Sequence, residues 1–170
     1  YNFQTTSDTE VLLKAYIEYG EDCVNYFNGM WSFAIWDDRK NKLFLSRDRF
    51  GEKPLYYFKS NDGFYFSSEV KAIQSMLPNP LNINYRQLKK YIVYGYKFLY
   101  KDSDTFFENL NEVKYSTNIV INKNLQIYES KYWEPKFNPE SMTINQAIEG
   151  TRHFLKESMK IRLRSDVPLA

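Results

Sequence analysis

With one cysteine and one histidine in 170 residues, the chain is short of the side chains from which most metal and redox sites are built. Cys23 alone cannot close an internal disulfide, and neither a Cys-rich zinc site nor a His-rich one can be assembled around the lone His153. A signal-like segment is missing, as is any apolar run near the roughly 20 residues that cross a bilayer. No membrane partner is expected, and the cytoplasm is the expected compartment. An excess of one charge is missing too: 23 Lys+Arg stand against 21 Asp+Glu, interspersed, for a net charge of +2. A nucleic-acid surface calls for clustered basic charge, so no nucleic-acid partner is expected. What the chain has in quantity is aromatic, with 15 Tyr and 13 Phe. In a near-neutral chain with strand-like alternation these belong to a core. The length suits one domain and part of another. Tyr1 is not a start methionine and Leu169-Ala170 ends without a polar tail, so the segment reads as cut at both ends.

The pattern along the chain places the elements. Ser7-Asp8-Thr9-Glu10 predicts a capping box, and the stripe Val11, Leu12, Ala15, Tyr16 and Tyr19 predicts a helix over 8–19, closed by a left-handed Gly20. Trp31–Trp36 is apolar on both faces and predicts a strand covered on each side. Strands are also expected at 42–46, 55–58 and 64–67, the last two joined through Asn61-Asp62-Gly63. Joined by short turns, these four suggest one antiparallel meander with a second layer on one side and helices on the other. Helices are expected over 69–76 and 84–94, the latter capped by Asn84, and a hairpin over 118–127. The stretch 134–142, with Pro135 and Pro139, has a linker composition. A second capping box, Thr143 to Gln146, opens a helix carrying Ile144, Ile148, Leu155 and Met159 on one face, to about Arg162. Asp166-Val-Pro168 should stop any helix, and a new strand should begin at 167–170.

Four motifs read in order carry a resemblance. Ser7-Asp-Thr-Glu10, Asn28-Gly-Met-Trp-Ser-Phe-Ala-Ile-Trp-Asp37, Arg47-Asp-Arg-Phe-Gly-Glu-Lys-Pro-Leu-Tyr56 and Ser67-Ser-Glu-Val-Lys71 resemble the class II glutamine amidotransferases. The second motif, Tyr132-Trp133 and Arg162-Leu-Arg-Ser-Asp-Val-Pro168 resemble the branch of glutamine-hydrolysing asparagine synthetases. The resemblance implies an α+β fold, the N-terminal nucleophile hydrolase αββα sandwich with its N-terminal part missing, over 1–133. After the linker at 134–142, it implies the first helix of an α/β synthetase domain over 143–170. It also implies glutamine, aspartate and ATP as substrates, with Mg2+ for the nucleotide, and a homodimer. In the family a terminal cysteine attacks the glutamine amide, and ammonia reaches an aspartyl-adenylate in the second domain. That nucleophile is expected upstream of Tyr1 and the Ser-Gly-Gly-x-Asp-Ser nucleotide loop after Ala170, so no catalytic residue is assigned within the chain. Lys114-Tyr-Ser-Thr117 stands where the family commonly has a Pro-Gly turn.

One binding residue is carried over. Asp8 matches the family position that holds the α-ammonium of glutamine, and a carboxylate in a first helical turn is kept ionised by the helix dipole. Without the resemblance, complementing that dipole would be its whole role. Cys23 lacks the neighbouring α-amine that the family uses as base, and reads as buried filler; His153 reads as solvated or interfacial. Arg47 and Asp48 read as an ion pair that, with Gly51 and Pro54, locks a supporting loop. Two other functions stay open on the residues: a related ligase acting on a sugar acid or closing a β-lactam-type ring, and a catalytically silent scaffold.

Overall fold

In the computed structural model, which describes residues 1–61, 63–96 and 103–163, helix α1 spans Asp8–Tyr19, as its apolar stripe predicts. Its start is not a capping box. The Ser7 hydroxyl accepts from the Thr9 N–H at 3.2 Å, but the Glu10 carboxylate reaches past Ser7 to Gln4 and Thr5. Gly20 closes the helix at φ 61°, ψ −135°, which is not the left-handed helical well expected for it but is equally glycine territory. A 3-10 turn over Gly20–Tyr26 follows and buries Cys23 and Val24 completely.

Strands β1 (Ser32–Asp37), β2 (Lys42–Arg47), β3 (Tyr56–Lys59) and β4 (Phe64–Ser67) lie within a residue or so of the positions their apolar runs predict. They do not form one meander. β1 and β2 belong to a four-stranded sheet ordered β1-β2-β6-β7, completed by β6 (Thr117–Asn122) and β7 (Ile127–Lys131), while β3 and β4 form a three-stranded sheet ordered β4-β3-β5 with β5 (Leu110–Glu112). All five pairings are antiparallel. β2 is covered on both faces, so its apolar pattern demands neighbours above, below and alongside without saying which segment supplies them.

The register shows how one strand serves two cores. Phe44 lies between Ile35 and Val120 on one face of the first sheet, and Leu45 between Ala34 and Ile119 on the other. The Phe44 face packs against Leu12, Ala15 and Tyr16 of α1 and against Cys23 and Val24. The Leu45 face meets Leu55, just before β3, and Tyr57, Phe64 and Phe66 of the second sheet. Helix α2 (Val70–Met76) lies against β3 and β4, with Ile73 buried. The layers therefore run helix, sheet, sheet, helix. Trp36 departs from the expectation of a doubly covered strand and is 56% exposed, near the end of β1 where the chain runs into the turn at 38–41. Helix α3 (Tyr85–Tyr94) starts at Asn84, whose side-chain oxygen accepts from the Gln87 N–H at 3.1 Å.

Tyr1–Glu134 forms one compact unit and Pro135–Ala170 another. In the second, Thr143 and Gln146 make a full capping box, the Thr143 hydroxyl accepting from the Gln146 N–H and the Gln146 side chain from the Thr143 N–H, and helix α4 runs Ile144–Arg162. Ile144, Ile148, Leu155 and Met159 along it are exposed. Asp62 of the turn before β4, the Asp166-Val-Pro168 stop and the strand expected at 167–170 lie outside the described residues.

Candidate functional site

Asp8 sits in the first turn of α1 with its carboxylate exposed. Among the described residues its one bonded partner is the Thr9 hydroxyl, at 3.5 Å the limit of a hydrogen bond. The carboxylate is thus held on a helix end without being used up by the fold. What surrounds it is well tied. The Glu10 carboxylate accepts from the Gln4 N–H at 3.0 Å, the Thr5 N–H at 2.7 Å and the Thr5 hydroxyl at 2.8 Å. The Gln4 N–H, and after it the two Thr5 donors, keep this carboxyl below the usual range, so it stays a charged acceptor. The Thr5 oxygen accepts in turn from the Ser7 N–H at 3.2 Å. Residues 4–7 are therefore fastened to the helix on either side of Asp8.

The second polar constellation is buried. Asp48 is 1% exposed, and its two oxygens accept from four backbone N–H groups: Phe50 and Glu52 on one, Trp31 and Lys53 on the other, at 3.0–3.2 Å. Burial pushes the carboxyl up, and these four donors outweigh it and leave it below the usual range. The Arg47 guanidinium donates to the carbonyls of Lys53, Val113 and Gly51 and pairs with Glu112 at 2.7 Å. The expected Arg47–Asp48 ion pair is absent: each side chain has its own set of partners, and the loop lock is built from backbone groups. Since Arg47 ends β2 and Glu112 ends β5, this pair also bolts one sheet to the other. Gly51 is required there, for its φ is 66° and a β-carbon would stand 3.1 Å from the Arg47 Cζ and 3.2 Å from the Tyr115 Cβ. Ser116 takes φ 56°, held by its hydroxyl on the Trp133 carbonyl at 2.5 Å and its N–H on the Asp48 carbonyl at 2.8 Å.

The remaining candidates lie on other elements. Cys23 is wholly buried among Tyr16, Val24, Ile35 and Phe44, and burial pushes its thiol up to about 11, where it is a filler and no nucleophile. His153 is exposed on α4 in the second unit, edge-on to Phe154. Among the described residues no group of three His, Cys, Asp or Glu side chains is placed to hold a metal ion, and no helix is long and apolar enough to cross a membrane. The sequence reading missed the reach of Glu10 to Gln4 and Thr5 and the partnership of Arg47 with Glu112. The first had a weak signal in the Thr5 hydroxyl five residues before Glu10; the second, 65 residues away along the chain, had none.

Residues 1–133 match the model of the glutamine amidotransferase domain. The chain is 36% identical over 170 residues to a putative glutamine-hydrolysing asparagine synthetase 2 of Methanocaldococcus jannaschii, covering 98% of this chain and 32% of that protein. It is 32% identical over 170 residues to glutamine-hydrolysing asparagine synthetase 3 of Bacillus subtilis, covering 99% of this chain and 27% of that protein. The chain thus spans about a quarter to a third of the length of these relatives. Among solved structures, the glutamine phosphoribosylpyrophosphate amidotransferase of B. subtilis, complexed with ADP and GMP, superposes with a TM-score of 0.52 at 19% identity, over 79% of this chain and 24% of that one. At that identity the likeness is one of fold.

Proposed function

The chain belongs to the glutamine amidotransferase domain family, and from that premise we propose that the complete protein is a glutamine-dependent asparagine synthetase. It hydrolyses glutamine and delivers the ammonia to an ATP- and Mg2+-dependent amidation of aspartate. On this reading residues 1–133 are glutaminase, 134–142 a linker and 143–170 the opening of the synthetase domain. Among the described residues no group of three His, Cys, Asp or Glu side chains is placed to hold Mg2+, so no step is assigned to the metal there. The similarity of the whole chain to glutamine-hydrolysing asparagine synthetases, α4 included, supports the choice of acceptor.

The observation that carries the reading is Asp8, an exposed carboxylate in a first helical turn with a single weak partner. An α-ammonium supplies three N–H donors and the positive charge that such a carboxylate lacks. The contact is remote from the amide being cleaved and serves ground and transition states alike. A charge-assisted hydrogen bond of about 1.5–3 kcal/mol corresponds to roughly a ten- to hundred-fold change in affinity. Asp8→Ala is therefore expected to raise KM for glutamine by about that factor with a smaller change in kcat. Aspartate amidation fed with free ammonia bypasses the glutamine pocket and stays near the unmodified rate. Equal losses with both nitrogen donors would remove Asp8 from the site.

A further inference from the structure

The cluster that fastens residues 4–7 to α1 has more bonds than a helix start needs. One hydroxyl, that of Ser7, already serves the helix as cap through the Thr9 N–H. Glu10 adds three donors from outside the helix, the Gln4 N–H and both the N–H and hydroxyl of Thr5. The Ser7 N–H on the Thr5 oxygen links the two arrangements into one chain of bonds: Glu10 to Thr5, Thr5 to Ser7, Ser7 to Thr9. Asp8 is the residue this chain encloses, and its own side chain takes almost no part. All these groups are exposed or half-buried, so the bonds contribute little to the core and much to where the first turn of α1 points.

We infer that Glu10 is a positioning residue for glutamine binding, its carboxylate clasping Gln4 and Thr5 so that the Asp8 carboxylate meets the substrate ammonium in one fixed direction. The inference rests on the reading of Asp8 given above. Its physical content is preorganisation: without the clasp the first turn of α1 has only the Ser7 cap, the helix end frays, and ordering it again draws on the energy of binding. Loss of the clasp then appears in KM and leaves the chemical step alone. The charge of Glu10 matters as well as its reach, since both oxygens accept from donors. A glutamine side chain keeps one acceptor oxygen and replaces the other with a donor facing donors.

The test is steady-state glutamine kinetics of the complete protein carrying Glu10→Ala, Glu10→Gln, Asp8→Ala, and Asp8→Ala with Glu10→Ala together. Glu10→Ala is expected to raise KM for glutamine about 3- to 30-fold with kcat changed less than about three-fold, and Glu10→Gln to recover part of that loss. In the Asp8→Ala background, Glu10→Ala is expected to add less than about two-fold, because a group that acts through Asp8 has nothing left to position. Thr5→Val, at an exposed site, removes the hydroxyl bonds alone and should give a smaller rise in KM with an unchanged melting temperature. If Asp8→Ala raises KM while Glu10→Ala and Thr5→Val do not, the positioning role is overturned and the reading of Asp8 stands. Full additivity of the two alanine changes, or a fall in kcat matching the rise in KM, overturns it as well. If Asp8→Ala itself leaves KM unchanged, the fault lies in the reading of Asp8.

Discussion

Replacing Asp48 by asparagine changes one atom of a buried side chain and should cost more than most single substitutions. In the native chain one carboxylate oxygen accepts from the Phe50 and Glu52 N–H groups and the other from those of Trp31 and Lys53. An amide keeps one oxygen. Whichever way it is turned, its NH2 group faces two backbone donors, leaving those two unpaired in a site only 1% exposed. A buried unsatisfied donor costs about 1–3 kcal/mol, so the pair amounts to about 2–6 kcal/mol. A central value of about 4 kcal/mol lowers the melting temperature of a chain this size by roughly 8–16 °C. The pH dependence carries a second signature. Because the folded-state pKa of Asp48 is lowered, its contribution is fully present above the unfolded carboxylate value and is lost as pH falls through the folded one. The gap between native and Asp48→Asn melting temperatures should therefore be widest near neutrality and close as the solution is acidified. Circular-dichroism melts of both proteins over an acid series measure this. A shift under about 3 °C at pH 7, or a gap that widens in acid, would refute the assignment of Asp48 as the hub of the loop.

Gly51→Ala forces a β-carbon to 3.1 Å from the Arg47 guanidinium carbon at a φ of 66°. Left-handed backbone alone costs about 1–2 kcal/mol for such a residue, so the urea midpoint should fall measurably, and an unchanged midpoint would show that the loop yields freely. Cys23, wholly buried with its thiol pushed up to about 11, should take up iodoacetamide at neutral pH at least about a hundred-fold more slowly in the native than in the denatured chain. With one cysteine present, a single mass increment reports the reaction, and rapid native labelling would contradict the burial.

Much of the architecture was legible because it is written locally. The apolar stripe of α1, the Asn84 and Thr143 caps and the short apolar runs of β1 to β4 each depend on groups a few positions apart, and each lies within a residue or so of where it was expected. Asp8 was legible in the same way, as a carboxylate one residue past a cap, although its assignment to glutamine came from resemblance and not from the pattern. Three-residue β5 was not legible, since Leu-Asn-Glu is too short to show alternation. The capping box at Ser7 failed because Thr5 and Gln4 offered Glu10 more donors than the Ser7 N–H did.

The amino-acid sequence by itself determined most of the segments that become helix and strand, and that Cys23 has no base beside it. Tertiary structure alone decided that four successive strands divide between two sheets, with the loop after β2 held by Asp48 on the N–H groups of Phe50, Glu52 and Lys53 and by Arg47 on the carbonyls of Gly51 and Lys53. It also decided that β6 fills the vacated place beside β2 and that Glu112 answers Arg47. Those pairings join residues more than sixty positions apart. Local propensity carries no term for them, and they are settled only when two apolar faces and one buried charge all have to be satisfied in the same fold.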